Sequence, residues 1–447
     1  MKFYSFVCLL PLLTAAFGQS NPAPRISASG VPPTLASTPA SSRTAELNFA
    51  PAVAYGSGGI GAMSVTVADV NGDGTPDLVV ANWCVLGNVC ASSSVAVLLG
   101  EGNGTFRAAM TYSSGGVNSD SVAVADLNGD GKPDIVVANL NSGTVAVLLG
   151  NGNGTFQQAV TYSAGGSPLT VAVADINHDG KPDLLVSDIN GEVNGSVGVL
   201  LGNGNGTFQN VVIYDSGGYW AYSLAVADAN GDGKPDVVVA NMCADTSCSD
   251  KGSVGILLGN GDGTLQTVAT YSSGAYSADS VAVADINNDG KLDVLVANQC
   301  ADSKCAKEGT IGILLGNGDG TFQAVVSYPS GGYWNRSVAV ADVNGDGIPD
   351  LLAANQCATV CLQNGGLPGS IGVLLGKGDG TFHPAATFGS GGYGAFSVAV
   401  ADVNGDGKPD VLVANCAVGH EGCTSQSEGT VGVLINISSP TALLREP

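Results

Sequence analysis

Basic residues are scarce in this 447-residue chain, which has 15 lysine and arginine residues against 38 aspartate and glutamate residues. The net charge of −23 would repel nucleic acids and anionic membrane surfaces, so we expect neither as a partner. Only three histidines are present, and no Gly-x-Ser-x-Gly, His-Glu-x-x-His or phosphate-binding loop occurs. The chain therefore lacks the usual catalytic constellations, and we expect it not to be an enzyme.

Long apolar runs are also missing, since the stretch from Phe3 to Leu13 is too short to span a bilayer and none later reaches ~20 residues. Preceded by Lys2, this stretch is typical of an export signal, which we place at residues 1–18. Residues 19–45 are rich in proline, alanine and serine and are predicted to be a spacer, and residues 439–447 a C-terminal tail. We expect a secreted protein, extracellular or on the cell surface, without a transmembrane segment.

Glycine, in contrast, is abundant at 66 residues, and the chain repeats itself seven times. Each repeat unit has an apolar run, an Asp-rich loop, a second run, a variable loop, a third run, a Gly-rich hairpin and a fourth run. The Asp-rich loops begin 49 to 60 residues apart, and the runs are β-branched and bounded by Gly, Asn and Asp. Seven units of four short strands predict an all-β fold, a seven-bladed β-propeller of four-stranded antiparallel blades over residues 46–438.

The two ends of the repeat region complement each other. The seventh unit stops after its third run, residues 430–436, and residues 47–55 align with the fourth run of the second unit, residues 154–162. We therefore predict that residues 47–55 form the outer strand of the seventh blade and close the ring. Closure would remove the exposed edges of an open sheet array.

Every unit contains the acidic loop Asp-x-Asn-x-Asp-Gly-x-x-Asp, whose oxygens at positions 1, 3, 5 and 9 are the ligands that Ca²⁺ prefers. Turn propensity alone would explain Asp, Asn and Gly here, but it does not require Asp at positions 1, 5 and 9 in all seven copies. We predict up to seven calcium ions, mainly structural. The predicted ligands are Asp69, Asn71, Asp73, Asp77; Asp126, Asn128, Asp130, Asp134; Asp175, Asn177, Asp179, Asp183; Asp228, Asn230, Asp232, Asp236; Asp285, Asn287, Asp289, Asp293; Asp342, Asn344, Asp346, Asp350; and Asp402, Asn404, Asp406, Asp410.

The motifs Ala-Asp-Val-Asn-Gly-Asp-Gly-Lys-Pro-Asp and Leu-Leu-Gly-Asn-Gly-Asp-Gly-Thr-Phe recur across residues 47–436. In these motifs the chain resembles the FG-GAP (VCBS-type) repeat family, the unit of the integrin α-subunit propeller and of many secreted bacterial propellers. The resemblance implies a propeller with structural calcium that binds ligands through the opposite face. It implies no enzymatic activity.

Ten of the eleven cysteines form five close pairs, each in the loop between the second and third strands of a unit. Pairing within each loop is the simplest connectivity in an exported protein. Zinc or redox sites are the alternative, although partner histidines are missing at the pairs. The predicted disulfides are Cys84–Cys90, Cys243–Cys248, Cys300–Cys305, Cys357–Cys361 and Cys416–Cys423.

Antiparallel strand order places the acidic loops and the Gly-rich hairpins on one face, and the disulfide loops and interblade segments on the other. The interblade segments carry aromatic residues beside polar groups, which suits recognition of a sugar or a protein. Packing between neighbouring blades explains the aromatics equally well. The candidate ligand-binding residues are Tyr219, Trp220, Tyr276, Tyr333, Trp334, Arg336 and Tyr393.

These observations predict a secreted, calcium-stabilised binding or adhesion module for an extracellular glycan or protein. One alternative is a propeller-type polysaccharide lyase or other carbohydrate-active enzyme, for which Arg336 is the only obvious basic residue. A structural component of a surface or matrix layer is another. The sequence indicates neither the ligand nor the oligomeric state.

Overall fold

The computed structural model describes residues 47–86, 90–189, 195–249, 251–361, 367–417 and 427–438. The predicted export signal (1–18), spacer (19–45) and tail (439–447) lie outside these residues and stay predictions. Within the described ranges the one helical element is a 3₁₀ turn, Leu140–Ser142, and no helix is long and apolar enough to cross a membrane.

The rest of the ordered secondary structure is β-strand. The strands, numbered in chain order, are β1 (Val53–Ala68), β2 (Asp77–Val85), β3 (Ser94–Leu98), β4 (Met110–Ser113), β5 (Ser119–Ala125), β6 (Asp134–Asn139), β7 (Thr144–Leu148), β8 (Val160–Ser163), β9 (Pro168–Ala174), β10 (Asp183–Asp188), β11 (Ser196–Leu200), β12 (Val212–Asp215), β13 (Tyr219–Ala227), β14 (Asp236–Cys243), β15 (Ser253–Leu257), β16 (Ala269–Ser272), β17 (Tyr276–Ala284), β18 (Asp293–Cys300), β19 (Thr310–Leu314), β20 (Val326–Pro329), β21 (Tyr333–Ala341), β22 (Asp350–Cys357), β23 (Pro368–Leu374), β24 (Ala386–Ala401), β25 (Asp410–Ala417) and β26 (Glu428–Leu434).

The strands form antiparallel sheets. Four sheets have four strands each, in the orders β5-β6-β7-β8, β9-β10-β11-β12, β13-β14-β15-β16 and β17-β18-β19-β20. A ten-stranded sheet runs from β21 to β26 and continues through β1 to β4. The prediction of an all-β fold built from four-stranded antiparallel sheets is confirmed.

Two long strands connect parts of the ten-stranded sheet. β24 pairs with β23 through residues 386–389 and with β25 from Tyr393 onward. β1 pairs with β26 through residues 53–56 and with β2 from Gly59 onward. The N-terminal strand is thus hydrogen-bonded to the last strand of the chain, and a bridge between Phe49 and Asn436 extends this contact.

Buried Val, Leu, Ile and Ala side chains form seven main core clusters, each shared by two repeat units. Successive strand residues point to opposite faces of a sheet, so each sheet buries one set of side chains against each neighbour. One cluster joins the seventh unit to the first, where Leu412 and Val431 pack with Leu78 and Val80. Each fully buried Val or Leu contributes about 2 kcal/mol to stability.

The strand before each acidic loop, which we call the innermost strand, lines a shared cavity of about 860 Å³. The innermost strands are β5, β9, β13, β17, β21 and the second parts of β1 and β24. The walls of this channel are alternating valine and alanine residues such as Val122–Ala125, and its lining reaches the acidic-loop residues Asp402 and Lys408. The channel is therefore mostly apolar along its walls, and its lining includes residues of the seventh acidic loop.

Each innermost strand also contains a β-bulge, where one residue interrupts the register with the next strand. All seven side chains at these positions are buried. The bulge residues are Met63, Asp120, Leu169, Tyr222, Asp279, Arg336 and Phe396.

Candidate metal loops and binding face

The acidic loops hold their polar side chains in place through their own backbone amides. In the second loop, Asp126 Oδ1 accepts hydrogen bonds from the amides of Gly129 and Asp130 at 2.8 and 3.1 Å, and Oδ2 accepts from Gly131 at 2.8 Å. The Asn128 Oδ1 atom accepts from Asp130 N at 2.8 Å. The bonds from the amides of positions 5 and 6 to the Asp at position 1 recur in all seven loops.

The side chains at positions 1, 3 and 5 fit a hard cation by their donor chemistry, because they offer only carboxylate and amide oxygens. Asp126 Oδ2 and Asn128 Oδ1 each accept one amide hydrogen and keep a further lone pair for another partner, whereas Asp126 Oδ1 already accepts two. The carboxylates have not converged, however: within the described ranges no three Asp, Glu, His or Cys side chains form a group that could hold a metal ion. In this structure they are directed at loop amides.

The Asp at position 9, which the sequence predicts as a ligand of each loop, differs from positions 1, 3 and 5 in its burial and hydrogen bonds. Asp134 is fully buried, its Oδ2 accepts from Leu127 N at 2.9 Å, and its Oδ1 accepts from Gly150 N at 2.7 Å. Equivalent bonds occur in the other units. Burial raises the pKa of all seven of these carboxyl groups, to about 7 for Asp350. In the first six units this carboxyl connects the acidic loop to the Gly-rich hairpin, and in the seventh Asp410 connects the loop to Asn436, two residues after β26.

Lysine at position 7 neutralises part of the charge in five loops. Lys132 Nζ lies 3.4 Å from Asp130 Oδ2, and the same pair is present in the third, fourth, fifth and seventh loops. The first and sixth loops have Thr75 and Ile348 there, so these two loops carry the most uncompensated negative charge. We did not infer these ion pairs from the sequence, although the lysine spacing was visible in it.

The arrangement of the two faces is confirmed. Each hairpin lies beside the acidic loop of the preceding unit, as shown by the bond from Gly154 N to Val70 O at 3.2 Å. At the other end of the sheets, Tyr219 lies opposite Cys243, and the same Tyr–Cys pairing occurs in the fifth and sixth units. The disulfide loops and the interblade aromatics therefore share one face, which we call the binding face.

Four of the predicted disulfides are present. Their Cα–Cα distances are 4.8 to 5.6 Å. Cys423 lies outside the described residues, so the Cys416–Cys423 pair stays a prediction. The disulfides shown are Cys84–Cys90, Cys243–Cys248, Cys300–Cys305 and Cys357–Cys361.

The aromatic residues of the binding face are half-buried, and packing between units accounts for part of each ring. Tyr219 and Trp220 pack against a cluster that contains Leu169 and Tyr222, and Tyr393 packs against Met63 and Phe396. Tyr276, Tyr333 and Trp334 are half-buried at the equivalent positions.

The two tryptophans of this face, Trp220 and Trp334, have an unusual backbone conformation. The φ angles of Trp220 and Trp334 are 58° and 55°, a left-handed conformation in which bulky residues are outliers. The same position also has positive φ in units 1, 2, 5 and 7, where it is occupied by Gly61, Asn118, Ser277 and Gly394, so this conformation belongs to the bulge of the repeat. A tryptophan therefore occupies a position suited to glycine, at a cost of order 1–3 kcal/mol.

Arg336 differs from our expectation of a surface residue. It is 4% exposed, and its Nη1 atom lies 3.2 Å from Asp279 Oδ2. Its Nε donates to Gln356 Oε1 at 2.8 Å, and its guanidinium stacks over Trp334 and Phe396. The Arg336 charge is compensated inside the protein, so this side chain is not presented to a ligand.

Comparison with known sequences identifies the repeat. The chain matches the FG-GAP-like repeat over residues 85–137, 126–186, 188–239, 243–296, 301–353 and 360–413. It also matches the FG-GAP repeat over residues 61–82 and 394–434. Together these matches cover most of the described residues.

Two relatives share part of this region. Integrin alpha pat-2 of Caenorhabditis elegans is 27% identical over 223 residues, which is 43% of this chain and 17% of the relative. Integrin alpha pat-2 of Caenorhabditis briggsae is 28% identical over 223 residues, again 43% of this chain and 17% of the relative. The chain thus spans less than a fifth of the length of these relatives.

Among solved structures, the chain is similar to BBS1N in its complex with ARL6DN, from a crystal soaked with mercury. The TM-score is 0.53 at 11% identity, and the match covers 88% of this chain and 98% of the other. At 11% sequence identity this similarity indicates a similar fold and nothing about function.

Proposed function

The chain belongs to the FG-GAP-like repeat family, and on this basis we propose that it is a secreted β-propeller that binds an extracellular glycan or protein. The four disulfides support an oxidising compartment such as the cell exterior. The partial similarity to integrin α sequences supports a role in adhesion or binding.

The propeller we propose has seven blades closed into a ring. Three observations support closure: the pairing of β1 with β26, the core cluster shared by the seventh and first units, and a bond from Val65 N to Ser397 Oγ at 3.3 Å. The channel supports it as well, because innermost strands from all seven units line it. In this scheme the first part of β1 is the outer strand of the seventh blade.

Calcium is proposed to stabilise this ring from the acidic-loop face. The side chains at positions 1, 3 and 5 of each loop would hold the ion, with the Asp at position 9 fixing the loop to the hairpin beside it. Bound calcium would neutralise carboxylates that otherwise repel one another across each loop. The first and sixth loops, which lack the lysine at position 7, are proposed to bind calcium most tightly.

The proposed ligand surface is the binding face, and the observation that carries it is that two half-buried tryptophans, Trp220 and Trp334, occupy a left-handed position that other units fill with Gly, Asn or Ser. Backbone strain of this kind concentrates at functional sites, and a left-handed φ is strained for tryptophan but not for glycine. Aromatic rings fixed on a disulfide-stapled surface can stack on sugar rings or bury against a protein.

The experiment is glycan-array and pull-down binding by the purified full chain, in calcium and in chelator, beside its melting curve. We expect selective binding that Trp220→Ala or Trp334→Ala abolishes. The control is Val160→Ala, because Val160 is 55% exposed on an outer strand away from this face and its variant should bind normally. Binding that survives both tryptophan substitutions would rule out this surface.

We propose that the protein is not an enzyme. A lyase would need a basic side chain beside its substrate, and Arg336, the candidate from the sequence, is buried and paired with Asp279. Measurement of unsaturated product release from acidic polysaccharides tests this proposal, and release by the wild-type chain would contradict it.

A further inference from the structure

A cleft of about 480 Å³ lies on the binding face at unit 4. Lys251 and Ala244 line it from the disulfide loop between β14 and β15. Thr270 and Ser272 line it from β16, and Tyr276 lines it from the start of β17. The volume lies within the range of small-molecule sites. The cleft therefore combines a cation, hydroxyl groups and an aromatic residue, and no carboxylate of the described residues lines it.

The cation of this cleft is one of few that have no carboxylate beside them. Arg336, Arg107 and the lysines of five acidic loops each lie 3.2 to 4.0 Å from a carboxylate oxygen. Within the described ranges the remaining basic residues are Lys251, Lys304, Lys307 and Lys377, all of them exposed. Three of these four belong to the disulfide loops of units 4 and 5. Unpaired positive charge is therefore concentrated on one part of the binding face.

Most of the negative charge of the chain lies on the opposite face. The acidic loops hold three aspartates in each of seven copies, which is 21 of the 38 acidic residues. In the disulfide loops of units 4 and 5, Asp245 Oδ1 accepts from Ser247 N at 2.9 Å, and Asp302 Oδ1 accepts from Lys304 N at 3.0 Å. These two carboxylates are held by amides of their own loops. The net charge of −23 is thus unevenly distributed, and the cleft can accept an anionic group.

The repeat itself does not require a lysine at this position. Lys251 is two residues before Ser253, which is paired with Asn241 of β14. The same position holds Glu308 in unit 5 and Glu428 in unit 7, each two residues before a threonine that is paired with the equivalent asparagine. The fold therefore accommodates either charge here, and the lysine of unit 4 calls for a reason outside the packing of the blade.

We propose that this cleft binds a uronate residue of an acidic glycan, whose carboxylate pairs with Lys251 Nζ and whose ring packs against Tyr276. Hydrogen bonds between an ammonium group and a carboxylate are roughly twice as strong as those between neutral groups. The hydroxyl groups of Thr270 and Ser272, both exposed, can donate to or accept from the sugar hydroxyls. The site lies on the binding face, so it rests on the proposed glycan-binding function and adds the class of sugar.

A uronate matches the cleft better than a neutral sugar or an acidic peptide does. A neutral sugar would leave the Lys251 ammonium group without an anionic partner. An acidic peptide would supply the carboxylate, but it would not surround it with hydroxyl groups for Thr270 and Ser272. A uronate supplies both, together with an apolar ring face that an aromatic side chain can cover.

The experiment is titration calorimetry of the full chain, in calcium, with cellotetraose, with the tetraglucuronate in which each of its CH₂OH groups is a carboxylate, and with the methyl ester of that tetraglucuronate. A titration of each sugar into the calcium buffer alone is subtracted. We expect one site per chain and at least tenfold tighter binding of the tetraglucuronate than of the two neutral sugars. Its affinity should fall as sodium chloride is raised, because salt screens exposed charges. The bound sugar should be recovered intact, in line with the proposed absence of enzymatic activity.

Substitution of the lysine tests the assignment of the charged partner. We expect Lys251→Gln to weaken tetraglucuronate binding at least tenfold and Lys251→Glu to abolish it. Both variants should melt like the wild type, because the side chain is exposed and other units hold glutamate there. The matched control is Lys377→Gln, which removes an exposed and unpaired lysine from a hairpin on the other face and should leave binding unchanged.

Equal affinity for the charged and the neutral sugars, or undiminished binding by Lys251→Gln, would overturn the uronate site. Absence of any tetraglucuronate binding would overturn it as well, including the case in which a captured protein is lost with Lys251→Glu and the cleft serves an acidic protein instead. Binding of a neutral glycan or a protein that depends on Trp220 and Trp334 but not on Lys251 would overturn the uronate site and leave the proposed function standing.

Discussion

At the scale of single residues, the aspartates of one acidic loop have opposite environments. Asp130 at position 5 is exposed, and its pKa is lowered overall. Desolvation is the largest single influence and raises the pKa, but the hydrogen bonds from Lys132 and Asn128 and the charge of Lys132 together outweigh it. Asp134 at position 9 is buried, and burial raises its pKa. Asp130, which is available to a cation, is therefore only four residues from Asp134, which stabilises the fold through buried hydrogen bonds.

Substitutions at positions 9 and 5 of the loop should lower the free energy of unfolding to different extents. Asp134→Ala leaves the buried amides of Leu127 and Gly150 without acceptors, so we expect it to lower the free energy of unfolding by about 3 kcal/mol with or without calcium. Asp130→Ala is the control, and we expect its effect mainly in calcium. Urea unfolding in calcium and in chelator measures both. Equal effects of the two substitutions would contradict this assignment.

Asp120 makes stability depend on pH in a defined direction. Because its folded pKa is raised, the folded state holds a proton that the unfolded state releases near pH 4, so its contribution to stability falls as the pH rises above about 4. We expect the unfolding free energy of Asp120→Asn to fall less steeply over this range than that of the wild type. The other titratable side chains among the bulge residues, Tyr222, Asp279 and Arg336, are common to both proteins and cancel in the comparison. Urea unfolding at pH 4 to 8 measures the slopes, and parallel slopes would show that Asp120 does not titrate as described.

At the scale of secondary-structure elements, hydroxyl groups connect neighbouring innermost strands. The amides of Val171, Val281 and Val398 donate to the serine Oγ of the preceding unit at 3.3 to 3.4 Å. The same contact links Val65 of the first unit to Ser397 of the seventh. Each innermost strand is an edge of its sheet and would otherwise expose unpaired backbone amides. These bonds provide acceptors for some of those amides.

Removing one such hydroxyl tests whether the junction of the two chain ends resembles the others. We expect Ser397→Ala and Ser121→Ala each to lower the free energy of unfolding by about 1 kcal/mol, because each leaves one buried amide without its acceptor. Denaturant unfolding of both variants makes the comparison. If Ser121→Ala lowered the free energy of unfolding as expected and Ser397→Ala left it unchanged, the first and seventh units would not be joined in solution.

At the scale of the whole molecule, the contact between the chain ends decides whether the units form a ring. The strand segment Val53–Gly56 is hydrogen-bonded to β26, and Phe49 packs against Phe388 with ring centroids 5.0 Å apart. Without this segment the β26 edge and part of a core cluster would be exposed.

Deleting residues 47–56 should therefore abolish cooperative melting of the monomer and promote aggregation. Deletion of residues 19–45 is the control, and we expect it to leave the melting temperature unchanged. Thermal melting with size-exclusion chromatography distinguishes these outcomes. A ten-residue deletion that still melted cooperatively as a monomer would argue against ring closure.

Local and periodic features were predictable from the sequence. Seven copies of one loop fixed the strand order within each unit, and antiparallel order then fixed the two faces. The four disulfides seen join cysteines separated by four to six residues, so the chain brings each pair together without help from the rest of the fold.

Features that depend on contacts between units were decided only by the tertiary structure. Arg336 lies in an interblade segment by sequence, yet its guanidinium is buried and paired with Asp279, which is 57 residues earlier at the equivalent bulge of the preceding innermost strand. Each buried position 9 carboxyl accepts a hydrogen bond from an amide at least 16 residues later in the chain, which in the first six units belongs to a hairpin. A repeat pattern specifies what each unit contains, whereas burial and charge pairing are set by which side chains of different units meet.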